Sequence, residues 1–132
     1  MNVLLDTHVF LWSLFAPEKL STHAYQQIIS SENDVAVSVV TFWEISLKYG
    51  LGKLELTGIE PGELPDFADK MNLDILPLTA DEASGFHHLP RLSHKDPFDR
   101  MLIWQAVQRG MTLISKDRDF SAYRKFGLKT IW

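Results

Sequence analysis

The chain has no cysteine among its 132 residues. That absence excludes disulfide staples and thiolate metal sites, so a bound metal would be held by oxygen or imidazole. Long apolar runs are missing as well, and the longest fall far short of the roughly 20 residues that a membrane-spanning helix needs. Residues 1–15 lack the basic start of a secretory signal. These absences lead to the expectation of a soluble, cytoplasmic protein with no membrane partner. Repeats and low-complexity tracts are also absent. What remains is 45% hydrophobic and 23% charged, the composition of one compact domain able to bury a core, so a single domain over residues 1–132 is expected.

Positive charge is scarce over most of the chain. Residues 1–90 carry 13 acidic and 4 basic side chains, whereas residues 91–132 carry 4 acidic and 9 basic ones. The formal net charge of −4 therefore conceals a basic last third. Arg91, Lys95, Arg100, Lys116, Arg118, Arg124, Lys125 and Lys129 can face phosphates, or they can simply be solvated surface charges.

Short apolar runs alternate with helical stretches. "NVLLD", "DVAVSVV", "LDILPLT", "MTLIS" and "LKTIW" read as about five strands buried on both faces. Helices are expected over residues 7–16, 21–31, 41–50, 62–72, 80–88 and 97–109. Parallel neighbours need a crossover long enough to hold a helix, so this alternation predicts an α/β fold, a three-layer α/β/α sandwich around a mainly parallel sheet. Residues 52–65, with three glycines and two prolines, read as an irregular excursion rather than a domain boundary.

The most informative stretch is "SHKDPFDRMLIWQA", residues 93–106. Proline favours the first helical position, which makes Asp96 the N-cap and puts Asp99 at the third helical position. Both acids complement the helix dipole. Capping accounts for Asp96 completely. Asp99, at 100° per residue, falls in the arc of Leu102, Ile103 and Ala106, where an ionised carboxylate is expensive to desolvate without a compensating cation.

Further acids recur where such a cation would sit. Ligand sites in parallel α/β sheets form beyond the carboxyl ends of strands. Asp6 directly ends "NVLL", Asp117 follows "MTLISK", and Glu44 lies one turn into the helix after "DVAVSVV". Each has a plainer explanation: Asp6 and Asp117 can cap the helices that follow, and Glu44 can pair with Lys48 at the i, i+4 spacing. Taken together, four like charges at one end of a sheet repel one another unless a cation lies between them. Hard oxygen donors without sulfur suit Mg²⁺ or Mn²⁺ rather than zinc. Such ions act on phosphates, which the basic last third would help to attract.

"LLDTHVFLW", "TFWEISLKYGLGKLEL", "HKDPFDRMLIWQA" and "LISKDRDF" resemble, in order and over essentially the whole chain, the PIN domain, in particular the VapC-like ribonuclease toxins of bacterial toxin–antitoxin pairs. The resemblance places the family's acidic quartet on Asp6, Glu44, Asp99 and Asp117. It implies an Mg²⁺- or Mn²⁺-dependent endoribonuclease acting on RNA, with Asp6, Asp99 and Asp117 as metal ligands, a cognate antitoxin protein as partner and a homodimer as assembly. The implied reaction is in-line attack by metal-activated water on a phosphodiester, leaving a 3′-hydroxyl and a 5′-phosphate. Asp119 is a second candidate for the fourth acid; "SKD" matches the family's pattern at Asp117. Trp104 stands where many relatives have a small residue, so local packing of that helix is expected to differ.

Other conspicuous residues have mostly structural readings. His87 and His88 lack a metal-ligand spacing. His94 and Lys95 precede the Asp96 cap closely enough to touch a substrate phosphate. Thr7 can orient a water beside Asp6 or bond its local backbone. Phe10, Trp12, Phe42 and Trp43 read as packing rather than base-stacking groups. Residues 42–65 can form a partner groove or ordinary core. Two rival functions remain: a phosphoacceptor signalling domain, which also uses strand-end aspartates and Mg²⁺, and a noncatalytic protein-binding module.

Overall fold

Strands form where β-branched and aliphatic residues run together between turn signals. In the computed structural model, which describes residues 1–132, these are β1 (Asn2–Leu5), β2 (Asp34–Ser38), β3 (Asp74–Leu76), β4 (Thr112–Ile114) and β5 (Lys129–Ile131). The helices are α1 (Thr7–Phe15), α2 (Thr22–Ile29), α3 (Val39–Gly50), α4 (Leu64–Lys70), α5 (Ala80–Gly85) and α6 (Pro97–Arg109). Short 3₁₀ segments cover Pro17–Lys19, Pro61–Glu63, Phe86–His88 and Arg118–Phe126.

All strand pairs are parallel, in the order β3-β2-β1-β4-β5. Val3 pairs with Val35 on one side and Thr112 on the other, and Leu5 pairs with Ile114. The pleat then sends alternate residues to opposite layers. Leu4, Ala36 and Leu113 pack with Leu102, Ile103, Phe120 and Tyr123. Val3, Leu5, Val35, Val37 and Ile114 pack with Val9, Phe10, Ala24, Ile45 and Leu64. Helices thus cover both faces, which is the expected three-layer arrangement. Val3, Leu4 and Leu5 are wholly buried, and truncating any one to alanine should destabilise by about 2–5 kcal/mol.

Several boundaries differ from the sequence reading for local reasons. β2 stops at Ser38 because its hydroxyl accepts from Val40 N–H (3.1 Å) and caps α3, so Val39 and Val40 turn into the helix. The helix expected over residues 62–72 is shorter. It begins as a 3₁₀ turn at Pro61 and becomes α-helical only from Leu64, with Pro65 in its first turn. The Arg118–Phe126 segment has no counterpart among the expected elements. Asp117 caps it, Phe120 and Tyr123 face inward at its three-residue period, and Gly127 ends it at φ 101°, a left-handed conformation suited to glycine. Residues 51–60 hold neither helix nor strand, but Leu54, Leu56 and Ile59 pack onto the core. No helix is long and apolar enough to cross a membrane.

Trp104 fits α6 by pointing at α5. It is 9% exposed and its indole N–H donates to the Glu82 carbonyl (3.0 Å). One turn of the same helix also carries Gln105, fully buried, which accepts from the Ser38 hydroxyl (2.6 Å) and donates to Glu82 Oε1 (3.1 Å). Glu82 in turn accepts from Arg109 Nε (2.7 Å). This polar network ties β2 and α5 to the second half of α6.

Candidate active site

β1 is the central strand, and the chain leaves it first toward β2 and later returns on its other side as β4. The crevice beyond the carboxyl ends of β1 and β4 is therefore the switch point where sheets of this kind bind ligands. Asp6 and Ser115 stand there side by side, and Asp6 N–H donates to Ile114 O (3.2 Å).

Asp6 does cap α1, accepting from Val9 N–H at 2.8 Å. Capping does not account for its burial. It is 5% exposed, and no lysine or arginine is paired with it. Burial pushes its carboxyl up to about 6, although hydrogen bonds from the Ser115 hydroxyl and Val9 N–H and the charge of His8 favour ionisation; the charge of Asp99 pushes it further up. Asp99 lies close enough for that repulsion because α6 brings its first turn to the same end of the sheet. Asp96 caps that helix as expected, accepting from Phe98 N–H (2.8 Å) and Asp99 N–H (3.0 Å).

The Asp99 carboxyl is likewise raised, first by burial and then by the charges of Asp96 and Glu44, against a hydrogen bond from His94. His94 Nε2 lies 2.8 Å from Asp99 Oδ2; toward an ionised carboxylate it is the donor. Within the chain, the group that Asp99 bonds directly is this imidazole. The His94 ring is held edge-on against Phe120 (5.1 Å, 85°).

Glu44 is 3% exposed on α3. Its Oε1 accepts from the Thr7 hydroxyl (2.6 Å), and its Oε2 is paired with Lys48. Both oxygens are therefore engaged, and the i, i+4 pairing weighed from the sequence is present. The Thr7 hydroxyl turns away from its local backbone to Glu44 and Thr41 (3.2 Å). Partial burial works against the Lys48 charge, yet Glu44, with help from Asp96 and Asp99, raises the pKa of its ammonium.

Asp117 is exposed and caps the 3₁₀ segment, accepting from Asp119 N–H at 2.9 Å. With Asp6, His8, Trp12 and Lys116 it lines a cleft of about 260 Å³. Ligand atoms of His94, Asp117 and Asp119 all lie within 4.8 Å of one another. The predicted acids are linked pairwise: Asp6 feels the charge of Asp99, Asp99 feels that of Glu44, and Asp6 and Asp117 line one cleft. Asp119, the second candidate for the fourth acid, lies beside Asp117 in the cluster with His94.

Two contributors escaped the sequence reading: Ser115 stands beside Asp6, and His94 sits among carboxylates rather than standing ready for a phosphate alone. The only local signal was proximity, since each lies within a few positions of a predicted acid. Trp43 corrects the packing expectation: it is 60% exposed and touches Phe98 edge-on at 5.0 Å. His87 and His88 lie against each other (4.0 Å), each bonded to its own turn, in keeping with a structural role.

A buried carboxylate with only neutral hydrogen-bond donors, facing a second carboxylate raised by burial, is poorly compensated electrostatically. The ligand atoms that lie close enough together to share one ion are those of His94, Asp117 and Asp119, a set of carboxylate oxygens and one imidazole, with Asp99 bonded to the same His94.

Comparison with known proteins agrees with this geometry. The chain is 29% identical over 132 residues to Ribonuclease VapC22 of Mycobacterium tuberculosis, covering 99% of this chain and 98% of that protein. VapBC2 from Rickettsia felis, solved bound to a DNA fragment from its promoter, contains a similar fold: TM-score 0.71, 17% identity, 100% of this chain and 99% of that one. VapBC-5 from Mycobacterium tuberculosis, of the VapBC family of toxin–antitoxin systems, has a TM-score of 0.56 at 22% identity, covering 98% of this chain and 95% of that one. The PIN domain family model matches residues 3–126, and the chain belongs to the PIN domain family.

Proposed function

We propose that this chain is a divalent-metal-dependent endoribonuclease, the toxin of a toxin–antitoxin pair, acting as a single nuclease domain in the cytoplasm. The observation that carries the reading is Asp6: a buried carboxylate without a cationic partner, at the switch point of the sheet, opposed by Asp99. The likeness to a protein named as a ribonuclease and to VapBC structures supports the same reading. We further propose a cognate antitoxin as partner and a homodimer as the assembled form.

Asp6, Asp99 and Asp117 would hold Mg²⁺ or Mn²⁺. Such an ion, when bound, supplies Lewis-acid polarisation of a phosphodiester and a lowered pKa for water. The chain's own residues do the positioning. Val9 N–H fixes the Asp6 carboxylate, and the nearby Ser115 hydroxyl favours its ionised form. His94 Nε2, 2.8 Å from Asp99 Oδ2, fixes that carboxylate by a hydrogen bond. Glu44 is oriented by Thr7 and Lys48, and its charge adds to the negative potential felt by Asp99. The expected products are a 3′-hydroxyl and a 5′-phosphate.

The test is cleavage of a mixed RNA panel with Mg²⁺, Mn²⁺ or EDTA, comparing wild type with Asp6→Asn and Asp99→Asn. Metal-dependent cleavage by wild type and loss of at least about a hundredfold in both variants supports the reading. Undiminished cleavage by either variant rejects it. No observation favours the phosphoacceptor or noncatalytic alternatives.

A further inference from the structure

Next to the acidic cleft lies a groove of about 320 Å³ whose walls include Lys116, Arg118, Arg124, Thr130 and Trp132. The two cavities share Lys116 and Asp117 as lining residues and so adjoin each other. Among the side chains that line the groove charge is lopsided: three are cationic and one, Asp117, is acidic. None of the three is in a salt bridge. Arg124 instead donates to the Thr130 hydroxyl (3.1 Å), which spreads its guanidinium across the groove without neutralising it.

Aromatic surface adjoins these cations. The Trp12 and Trp132 rings lie 6.0 Å apart at 61°, and Lys116 Nζ lies 6.0 Å from the Trp12 ring centroid. Trp12 lines the acidic cleft and Trp132 the basic groove. Both are half-buried, so packing fixes each ring while leaving part of it open. Unpaired cations alternating with fixed aromatic faces are the combination that holds single-stranded nucleic acid, the cations on phosphates and the rings on bases. The volume lies at the small end of ligand-sized clefts, about 300–1,000 Å³. It admits a splayed nucleotide and not a duplex, whose bases are stacked inside.

We propose that this groove is a single-stranded RNA subsite, seating nucleotides that flank the scissile phosphate, with Lys116, Arg118 and Arg124 on the backbone and Trp132 against a base. The proposal deepens the ribonuclease reading and rests on it for the identity of the polyanion. It also gives a role to three cations of the basic last third, Lys116, Arg118 and Arg124, which line the groove beside the acidic cleft.

The experiment measures binding of a short fluorescein-labelled single-stranded RNA in EDTA, where no cleavage occurs, as salt is raised from about 50 to 200 mM. Arg118→Ala/Arg124→Ala should weaken binding and lower the slope of log K against log salt by about 1.4, roughly 0.7 for each phosphate no longer neutralised. Lys53→Ala/Lys70→Ala removes two exposed cations outside the groove and should leave the slope unchanged. Trp132→Ala should weaken binding about 5- to 150-fold without altering the slope, and Trp132→Phe should restore most of it. An unchanged slope in the arginine variant, an equal fall in the lysine variant, or a duplex of the same length competing as well as the single strand overturns the proposal. Cleavage by wild type with Mn²⁺ is scored separately. Loss of cleavage with the slope effect intact refutes the ribonuclease reading and keeps the groove as an RNA site; cleavage with no slope effect refutes the groove alone.

Discussion

Replacing Asp6 by asparagine should make the metal-free protein more stable while abolishing its response to metal. Asp6 has a folded-state pKa of about 6 against 3.8 for the ordinary carboxyl. At about 1.4 kcal/mol per pKa unit, holding it ionised inside the fold opposes folding by about 3 kcal/mol. The sign follows from proton binding. Between about pH 4 and pH 6 the folded chain holds this proton and the unfolded chain does not, so stability declines as pH rises through that window and stays lower above it. Asparagine removes the titration. It caps a helix as well as aspartate does, so Val9 N–H keeps its acceptor. In EDTA at pH 7 the variant should be more stable by up to about 3 kcal/mol, roughly 10 °C in melting temperature for a chain of this size. Wild type should gain about 2.7 kcal/mol from Mn²⁺ at one hundred times its Kd, and the variant little. Urea melts at several pH values, with and without Mn²⁺, check both halves. A variant less stable than wild type at pH 7 in EDTA, or one stabilised equally by Mn²⁺, would refute the reasoning.

Asp99→Asn should lower Mn²⁺ affinity by at least about tenfold and leave the urea midpoint in EDTA unchanged or higher, which titration calorimetry and a urea melt would read together. Lys48→Met strands Glu44, 3% exposed, without its countercharge; the metal-free chain should lose about 3 kcal/mol, part of it recovered when Mn²⁺ is added, as thermal melts would show. Although burial favours the neutral Glu82 carboxyl, hydrogen bonds from Arg109, Thr79 N–H and Gln105 hold its pKa down to about 2. Its ionised form therefore supports the fold above about pH 4.5, a contribution lost as pH falls toward 2. Glu82→Gln should cost about 2–3 kcal/mol at pH 7 and flatten the acid limb of a stability–pH curve.

What the sequence by itself determined was local. Apolar runs flanked by turn residues specified five strands, alternation with helical stretches required parallel crossovers, and Asp-Pro at 96–97 set the start of α6, because periodicity, capping and proline geometry act within a few residues. The positions of Asp6, Asp99 and Asp117 at strand or helix ends were legible for the same reason. Their meeting in space rested on the family pattern and on a general rule about sheet edges. The strand order, which places β4 beside β1 and so sets Ser115 and Asp117 next to Asp6, was decided only in three dimensions. So were the bond from Thr7 to Glu44, the turn of His94 toward Asp99, and the nearness of the acidic cleft to Lys116, Arg118 and Trp132. These are contacts between side chains from separate elements, and no local propensity encodes them. Register and burial decide which partner each polar group must find, since a buried charge left without one is too expensive for the fold to keep.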